Sequence, residues 1–239
     1  MDKYRFVIDT PFPSKTIISY GLMVYAKNTQ KWAIIQRKNS IEFLLIVRGF
    51  YRLTYLPSFI SKIVPEEGRL LYEILLTSNN DSFINLFINI LQLPSDELDY
   101  ALLRINQSKE FILKTLNKLD LSKNKLLWTW PKGRLQISPL RESPLECAKR
   151  ESIEELEIDL PDPIYISDTY ITEIVSTITG KNIESRYWIY VIPYEIPISQ
   201  PFSHLEVSNR IWTDIKTCES LFDNNTLLSK INHTINTFL

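Results

Sequence analysis

Residues 143–156 read Ser-Pro-Leu-Glu-Cys-Ala-Lys-Arg-Glu-Ser-Ile-Glu-Glu-Leu, and this stretch predicts a helix with a well-marked start. Ser143 can cap the first turn, Pro144 suits the first helical position, and Glu146 can bond back to the amide of the capping residue. We therefore expect a helix over 144–156.

This helix would have one side that packs and one acidic side, since successive residues are about 100° apart. The packing side carries Leu145, Ala148, Ser152 and Leu156, and the acidic side carries Glu151, Glu154 and Glu155. Carboxylates within one turn repel each other unless a cation lies among them, and hard divalent cations prefer oxygen ligands. The acidic side is therefore either a metal site or a solvated surface on which Arg150 pairs with a neighbouring glutamate.

The sequence around this helix predicts a mixed α/β fold. Residues 16–37 contain two runs rich in β-branched and aromatic residues around a polar turn, which predicts a β-hairpin. Residues 39–124 repeat Leu and Ile at helical spacing and predict an all-helical module, whereas residues 126–239 return to alternating strands and helices. We expect a mixed sheet between helices, formed by 1–38 and 125–239, with 39–124 inserted as a helical module.

Composition excludes several classes of protein. The 239 residues include 27 Lys plus Arg and 28 Asp plus Glu, a net charge of -1, which excludes a generally basic nucleic-acid binder. Two cysteines and two histidines, His204 and His233, make a disulfide framework or a Cys/His zinc site improbable and indicate a reducing compartment. The five glycines do not form a phosphate-binding loop. No apolar run has the length of a membrane helix or signal peptide, so we expect a cytoplasmic protein without a membrane partner.

The acidic helix and its surroundings resemble the Nudix box, which runs Gly, five residues, Glu, seven residues, Arg-Glu-apolar-x-Glu-Glu-x-Gly-apolar. Arg150, Glu151, Glu154 and Glu155 match that pattern, with Glu142 eight positions before Arg150 and Gly133 upstream. Three positions depart from it. Eight residues separate Gly133 from Glu142, Ser152 takes an apolar position, and Glu157 stands where the box has glycine. From Glu157 we expect a helix end without the usual left-handed cap.

The order of hairpin, helical insertion, Trp-Thr-Trp-Pro-Lys-Gly at 128–133 and then the box is similar to the mRNA-decapping Nudix enzymes of poxviruses, African swine fever virus and other large DNA viruses. The resemblance implies a Nudix fold and a catalytic set of Glu151, Glu154, Glu155, Glu206 and Arg150. In that set, Glu151, Glu154 and Glu155 would bind Mg²⁺ or Mn²⁺, and Arg150 would orient them with Glu142 as its ion-pair partner. Glu206 would be a further ligand or the general base, although it is equally an ordinary loop carboxylate.

Basic residues could bind an RNA chain near such a site. The candidates for phosphate or RNA contacts are Lys132 and Arg134 beside the box and Lys109, Lys114 and Lys118 in the helical module, where Lys114 and Lys118 would share a helical face. The alternative is a mixed, solvated helix surface. Trp128, Trp130, Tyr170, Trp188 and Tyr190 are candidates to stack on a methylated guanine, although aromatic residues on strands more often belong to the core.

Three functions remain open from the sequence. The first is a decapping hydrolase that releases m7GDP and 5′-monophosphate RNA, with capped mRNA as the partner, no DNA partner, and the host cytoplasm as its location if the protein is viral. The second is a Nudix hydrolase of small phosphoanhydrides, such as nucleoside diphosphate derivatives or diphosphoinositol polyphosphates. The third is an inactive Nudix-fold module that binds RNA or protein. The intact box set disfavours the third, and the size of the insertion favours the first.

Overall fold

The structure is a computed structural model that describes residues 16–77, 80–136, 142–176, 182–198, 205–222 and 231. The described residues form two compact units. One contains 16–38 and the described part of 127–231, and the other contains the described part of 39–126. His204 and His233 lie outside the described residues.

The first unit is built on a mixed sheet, to which the described residues contribute eight strands. They are β1 (Ile17–Ala26), β2 (Lys31–Arg37), β3 (Trp128–Thr129), β4 (Lys132–Gly133), β5 (Tyr165–Ile166), β6 (Ile171–Ser176), β7 (Asn182–Ile192) and β8 (Val207–Thr213). The hairpin predicted over 16–37 is confirmed, with Tyr25 opposite Trp32 in antiparallel register. Strand β7 pairs with β1 from Ile183 to Ile192.

Strand β1 lies at the centre of this sheet. It runs parallel to β7 and antiparallel to β2 and β4, while β8 and β3 pair with β2. Strands β5 and β6 pair with β7 in antiparallel register. The sheet is therefore mixed, and its inner strand carries buried side chains on both faces, as its unbroken burial from Ser19 to Ala26 shows.

Each face of the sheet is covered by a helix. Helix α6 (Pro144–Leu156) packs through Cys147, Ala148 and Leu156 on one face, and α7 (Ile215–Leu221) packs through Cys218 on the other. The face under α6 is formed by Tyr20, Leu22, Val24, Ala33 and Ile35, and the opposite face by Met23, Tyr25, Trp32 and Ile34. The predicted fold class, a mixed sheet between helices, is confirmed.

Helix α6 begins as the sequence predicts and ends differently. The hydroxyl of Ser143 accepts a hydrogen bond from the amide of Glu146 (3.3 Å), and the Glu146 carboxylate accepts one from the amide of Ser143 (2.7 Å). At the other end Glu157 adopts the left-handed conformation, with φ 52° and ψ 45°. The expectation of a helix end without a left-handed cap is therefore wrong, because the chain makes this turn with glutamate in place of glycine.

The second unit is helical. Its elements are α1 (Ile41–Val47), α2 (Leu56–Ile60), α3 (Pro65–Leu76), α4 (Asn80–Ile84), a π-helical turn (Asn85–Ile90), a 3₁₀ turn (Ser95–Glu97) and α5 (Leu98–Leu116). Glu67 joins two of them, since its carboxylate accepts hydrogen bonds from the amide and hydroxyl of Ser40, which caps α1 (both 2.6 Å). Within the described residues, none of the helices combines the length and the apolar character that crossing a membrane requires.

Candidate active site

Arg150 joins three carboxylates at the start of the candidate site. Its Nε lies 2.7 Å from Oε1 of Glu142, and its Nη1 lies 2.7 Å from Oε1 of Glu151 and 3.0 Å from Oε2 of Glu154. Nη2 also donates to the backbone carbonyl of Arg134 (3.2 Å). Only 22% of the Arg150 side chain is exposed, so these charge-assisted hydrogen bonds are partly shielded from water. The guanidinium therefore fixes Glu142 and two carboxylates of the helix relative to one another.

The second contact of α6 is with β4. The amide of Lys132 donates to Oε2 of Glu155 (2.8 Å), and Glu155 is buried. Gly133 lies against the carboxylate of Glu151, so closely that a Cβ at Gly133 would be 2.0 Å from the carboxyl carbon. The backbone of the Pro-Lys-Gly stretch thus binds the Glu155 carboxylate, and the absence of a side chain at Gly133 leaves room for the Glu151 carboxylate.

The electrostatics divide these carboxylates into two groups. Burial raises the pKa of Glu155 to about 8, although the Lys132 amide opposes this shift. Burial also raises the pKa of Glu151, and Glu154 and Glu206 add to the rise by repulsion. In contrast, the hydrogen bond from Arg150 lowers the pKa of Glu142. Glu142 is therefore a stable ion-pair partner, whereas burial disfavours the charged forms of Glu151 and Glu155.

The donor set suits a divalent cation in its chemistry. Glu151 and Glu155 lie on the same side of α6, and the charge on Glu151 raises the pKa of Glu155, so a cation between them would stabilise the charged forms of both. In the described residues, however, no group of three or more acidic, histidine or cysteine side chains is close enough to hold a metal ion. Glu151 and Glu154 each bond to Arg150 through one carboxylate oxygen.

Glu206 precedes β8 and lies near the acidic side of α6. Its side chain is 63% exposed, and Oε2 is 3.9 Å from Nη2 of Arg37. Its charge raises the pKa of Glu151, which places it within electrostatic reach of the helix. Its backbone carbonyl accepts from the amide of Lys38 (2.7 Å), so the loop is anchored while the carboxylate stays accessible.

The basic residues predicted to contact phosphate or RNA are not arranged alike. The ammonium of Lys132 donates to the hydroxyls of Thr129 (2.8 Å) and Tyr187 (2.7 Å), so it is engaged by protein groups. Arg134 is exposed next to the box. In the helical unit, Lys109 and Lys114 are about 140° apart around α5. Lys118 lies two positions beyond the last residue of α5, where its amide donates to the carbonyl of Thr115 (3.0 Å).

The aromatic candidates separate into core and partly exposed residues. Trp130 is buried between Trp32 and Phe222.

Trp188 contacts Tyr20 and the exposed Tyr170, with ring centroids 6.3 Å and 5.5 Å away. The guanidinium of Arg186 lies 4.9 Å from the Tyr170 ring. Tyr20 on β1 pairs with Gly133 on β4, and Gly133 lies against the Glu151 carboxylate. The register of the sheet therefore places this aromatic group next to the acidic helix.

Sequence reasoning missed two arginines of this site. Arg37, at an irregularity of β2, is close enough to lower the pKa of Glu155, and Arg210, on β8, donates to the backbone carbonyl of Glu155. Both lie on strands far from the box in the sequence. The sequence signal for Arg210 was that it is the single charged residue of β8, where an unpaired buried charge would be costly, whereas Arg37 ends a strand that also contains Lys31.

No protein-family model matches this chain, and no curated protein matches it. Several solved structures align with most of it, including three from different organisms. These three are the C. elegans Ap4A hydrolase in a binary complex (15% identity, 93% of this chain, 100% of that chain, TM-score 0.45), the E. coli dihydroneopterin triphosphate pyrophosphohydrolase (12%, 92%, 97%, 0.43), and the NUDIX domain of Shewanella oneidensis NrtR with ADP ribose (11%, 98%, 99%, 0.45). At this identity and TM-score, nothing about activity or substrate follows from the likeness.

Proposed function

We propose that this chain is a metal-dependent hydrolase of phosphoric anhydrides of the Nudix type. One observation carries the proposal: Arg150 binds Glu142, Glu151 and Glu154 while the Lys132 amide holds Glu155, so the residues that match the box act together in space. A solvated acidic surface needs neither a partly buried arginine with three partners nor a buried carboxylate.

Each residue of the candidate site has an expected role in the hydrolysis. A bound Mg²⁺ or Mn²⁺ would neutralise charge on phosphate oxygens and make a water molecule nucleophilic. Glu151, Glu154 and Glu155 would hold the ion, and Arg150 and Glu142 would orient them. The proton of the attacking water needs a nearby carboxylate. Glu206 is our candidate, because it is accessible and lies within electrostatic reach of Glu151.

We propose capped mRNA as the substrate, cleaved to m7GDP and 5′-monophosphate RNA. The group of Tyr20, Trp188, Tyr170 and Arg186 supports a substrate with a nucleobase, since aromatic rings and guanidinium planes stack on bases. The basic residues of the helical unit support a substrate that includes an RNA chain, because they could bind its phosphates. Small nucleoside diphosphate derivatives suit the same aromatic group, so the experiment must separate the two substrates.

The test is to incubate the purified chain with cap-labelled RNA, with free cap analogue and with nucleoside diphosphate derivatives, each with Mn²⁺ and with chelator. We expect m7GDP release from RNA only with metal, and faster than from the free analogue. Glu155→Gln is the matched control, since it keeps the side-chain shape and removes the charge. Faster hydrolysis of the small molecules would replace the mRNA assignment, and no hydrolysis of any anhydride would leave the inactive binding module as the function.

A second measurement isolates the base. If Glu206 accepts the proton, Glu206→Gln should reduce kcat while Mn²⁺ affinity, measured by calorimetry, stays close to that of the unaltered protein. An unchanged kcat would assign the base to a carboxylate of the box, with Glu155 as the next candidate.

A further inference from the structure

The last turn of α6 has an unusual conformation for its sequence. Glu157 has φ 52° and ψ 45°, in the left-handed region that glycine adopts freely and other residues adopt at a cost. It lies two positions after Glu155, with Leu156 between them, so the path of the chain here affects where the carboxylates of the last turn lie. Something outside the helix must stabilise this turn.

Arg210 makes the contacts that can do so. Its side chain is 0% exposed, and its position on β8 is set by pairing with Ile35 on β2. Nε donates to the backbone carbonyl of Glu155, and Nη2 lies 2.9 Å from Oε1 of Glu157. One planar guanidinium thus binds a carbonyl and a carboxylate, a geometry that lysine cannot reproduce.

The contact also suits the electrostatics of a helix end. The last carbonyls of a helix lack partners within the helix and carry partial negative charge, so a cation there is favourable. Burial lowers the pKa of Arg210, and Glu157 opposes that shift. The buried guanidinium therefore depends on the helix end as much as the helix end depends on it.

We propose that Arg210 is a positioning residue of the candidate active site. It holds the last turn of α6 through Glu155 and Glu157, in place of a glycine cap, and so keeps the Glu155 carboxylate against the amide of Lys132. The inference rests on the proposed function for its activity measurement, but the contact between Glu155 and Lys132 can be followed without any activity.

The main test measures hydrogen exchange of the Lys132 amide by NMR in the metal-free protein, because that amide donates to the Glu155 carboxylate. Arg210→Lys keeps the charge and removes the planar fork. We expect the Lys132 amide to exchange at least about tenfold faster in this variant, relative to amides in the middle of β1, since loss of a hydrogen bond from a charged group shifts a local opening equilibrium by about that factor. Unchanged exchange would overturn the proposal.

Arg48→Lys is the matched control. Arg48 makes a two-bond pair with Glu97 in the helical unit, with Nε 2.7 Å from Oε2. This substitution removes a comparable fork, and we expect it to leave the exchange of Lys132 unchanged. Equal acceleration in both variants would mean general destabilisation and would count against a positioning role.

A rescue experiment adds a second criterion. Glu157→Gly lets the turn form without strain, so in the Arg210→Lys background it should restore part of the protection of Lys132. With Mn²⁺, Arg210→Lys should raise the dissociation constant and lower kcat by about tenfold, with KM within about twofold. A double variant in which the Lys132 amide is no better protected than in Arg210→Lys alone would overturn the proposal.

The two proposals fail in different ways. If the unaltered chain hydrolyses no anhydride, the proposed function fails, while the exchange of Lys132 still decides whether Arg210 places Glu155. If the chain is active and Arg210→Lys has normal exchange, kcat and Mn²⁺ affinity, only the inference about Arg210 fails.

Discussion

Glu155 is a candidate metal ligand whose burial disfavours its charged form. Its carboxyl is buried beside Lys132, and its pKa is raised to about 8 because burial disfavours the charged form. In the unfolded chain the same group has its ordinary pKa, near 4.5. The folded protein without metal therefore retains a proton that the unfolded chain loses.

This difference predicts a pH dependence for the metal-free protein. Between about pH 4.5 and 8 the folded state binds more protons than the unfolded state, so the free energy of unfolding should fall as pH rises. The midpoint of thermal unfolding, measured with chelator, should be lower at pH 8 than at pH 6, by about 2–4 °C for each kcal/mol lost. Glu155→Gln should flatten this trend and abolish hydrolysis. Identical pH profiles for the two proteins would contradict the assignment.

Arg150 should affect catalysis through its three partners. Arg150→Lys keeps the positive charge but cannot bind Glu142, Glu151 and Glu154 together. We expect kcat to fall by about 10–100-fold, with a smaller loss of Mn²⁺ affinity, in steady-state kinetics and calorimetry. Arg186→Lys, which affects a partly exposed pair with Glu184, is a useful comparison for the metal affinity. A kcat equal to that of the unaltered protein would show that Arg150 has no role in catalysis.

Two glycines show how the elements bring the site together. Strand β4 approaches β1 so closely that a Cβ at Gly21 would lie 2.1 Å from the carbonyl oxygen of Pro131. A Cβ at Gly133 would instead meet the end of the flexible Glu151 side chain. The first contact is with fixed backbone and the second with a group that can move, so the same substitution should have different effects.

Gly21→Ala should lower the free energy of unfolding by about 1–3 kcal/mol, because β1 and β4 must separate. Gly133→Ala should leave stability nearly unchanged, because Glu151 can turn away, but should weaken Mn²⁺ binding and lower kcat. Thermal unfolding and calorimetry on both variants check the contrast. A stable Gly133→Ala variant with normal metal affinity would show that Glu151 is not a ligand.

At the scale of the whole molecule, RNA binding is the contribution that we propose for the helical unit. Its lysines do not share one helix face, since Lys109 and Lys114 are about 140° apart on α5. Lys118 lies beyond the helix end. Any contribution to RNA binding would therefore come from summed charge more than from a single continuous track.

Reversing Lys109, Lys114 and Lys118 to Glu should raise the dissociation constant for capped RNA and flatten its dependence on salt, because fewer counterions are released on binding. Hydrolysis of a free cap analogue should change little. Fluorescence anisotropy at several salt concentrations, together with both rates, checks this. If the triple variant cleaves capped RNA as well as the unaltered protein does, the small-molecule substrates become the better assignment.

Much of the local structure follows from short-range sequence signals. The capping residues of α6, its length, the 16–37 hairpin and the helical character of 39–124 depend on residues close together in the chain, whose propensities and spacing are readable one segment at a time. The acidic side of α6 was visible for the same reason, since residues three and four apart share a helix face. The pairing of strands could not be read in this way, because β7 pairs with β1 from a distant part of the chain.

The arrangement of the site depended on contacts between segments far apart in the chain. Lys132 looked like a cation for phosphate, yet its amide holds Glu155 and its ammonium binds Tyr187, which is 55 positions away. Glu157 looked unable to form a left-handed cap, yet Arg210 on β8 binds it. Sequence spacing specifies which groups share a helix face, but only the packing of β4 and β8 against α6 specifies which partners offset their charge.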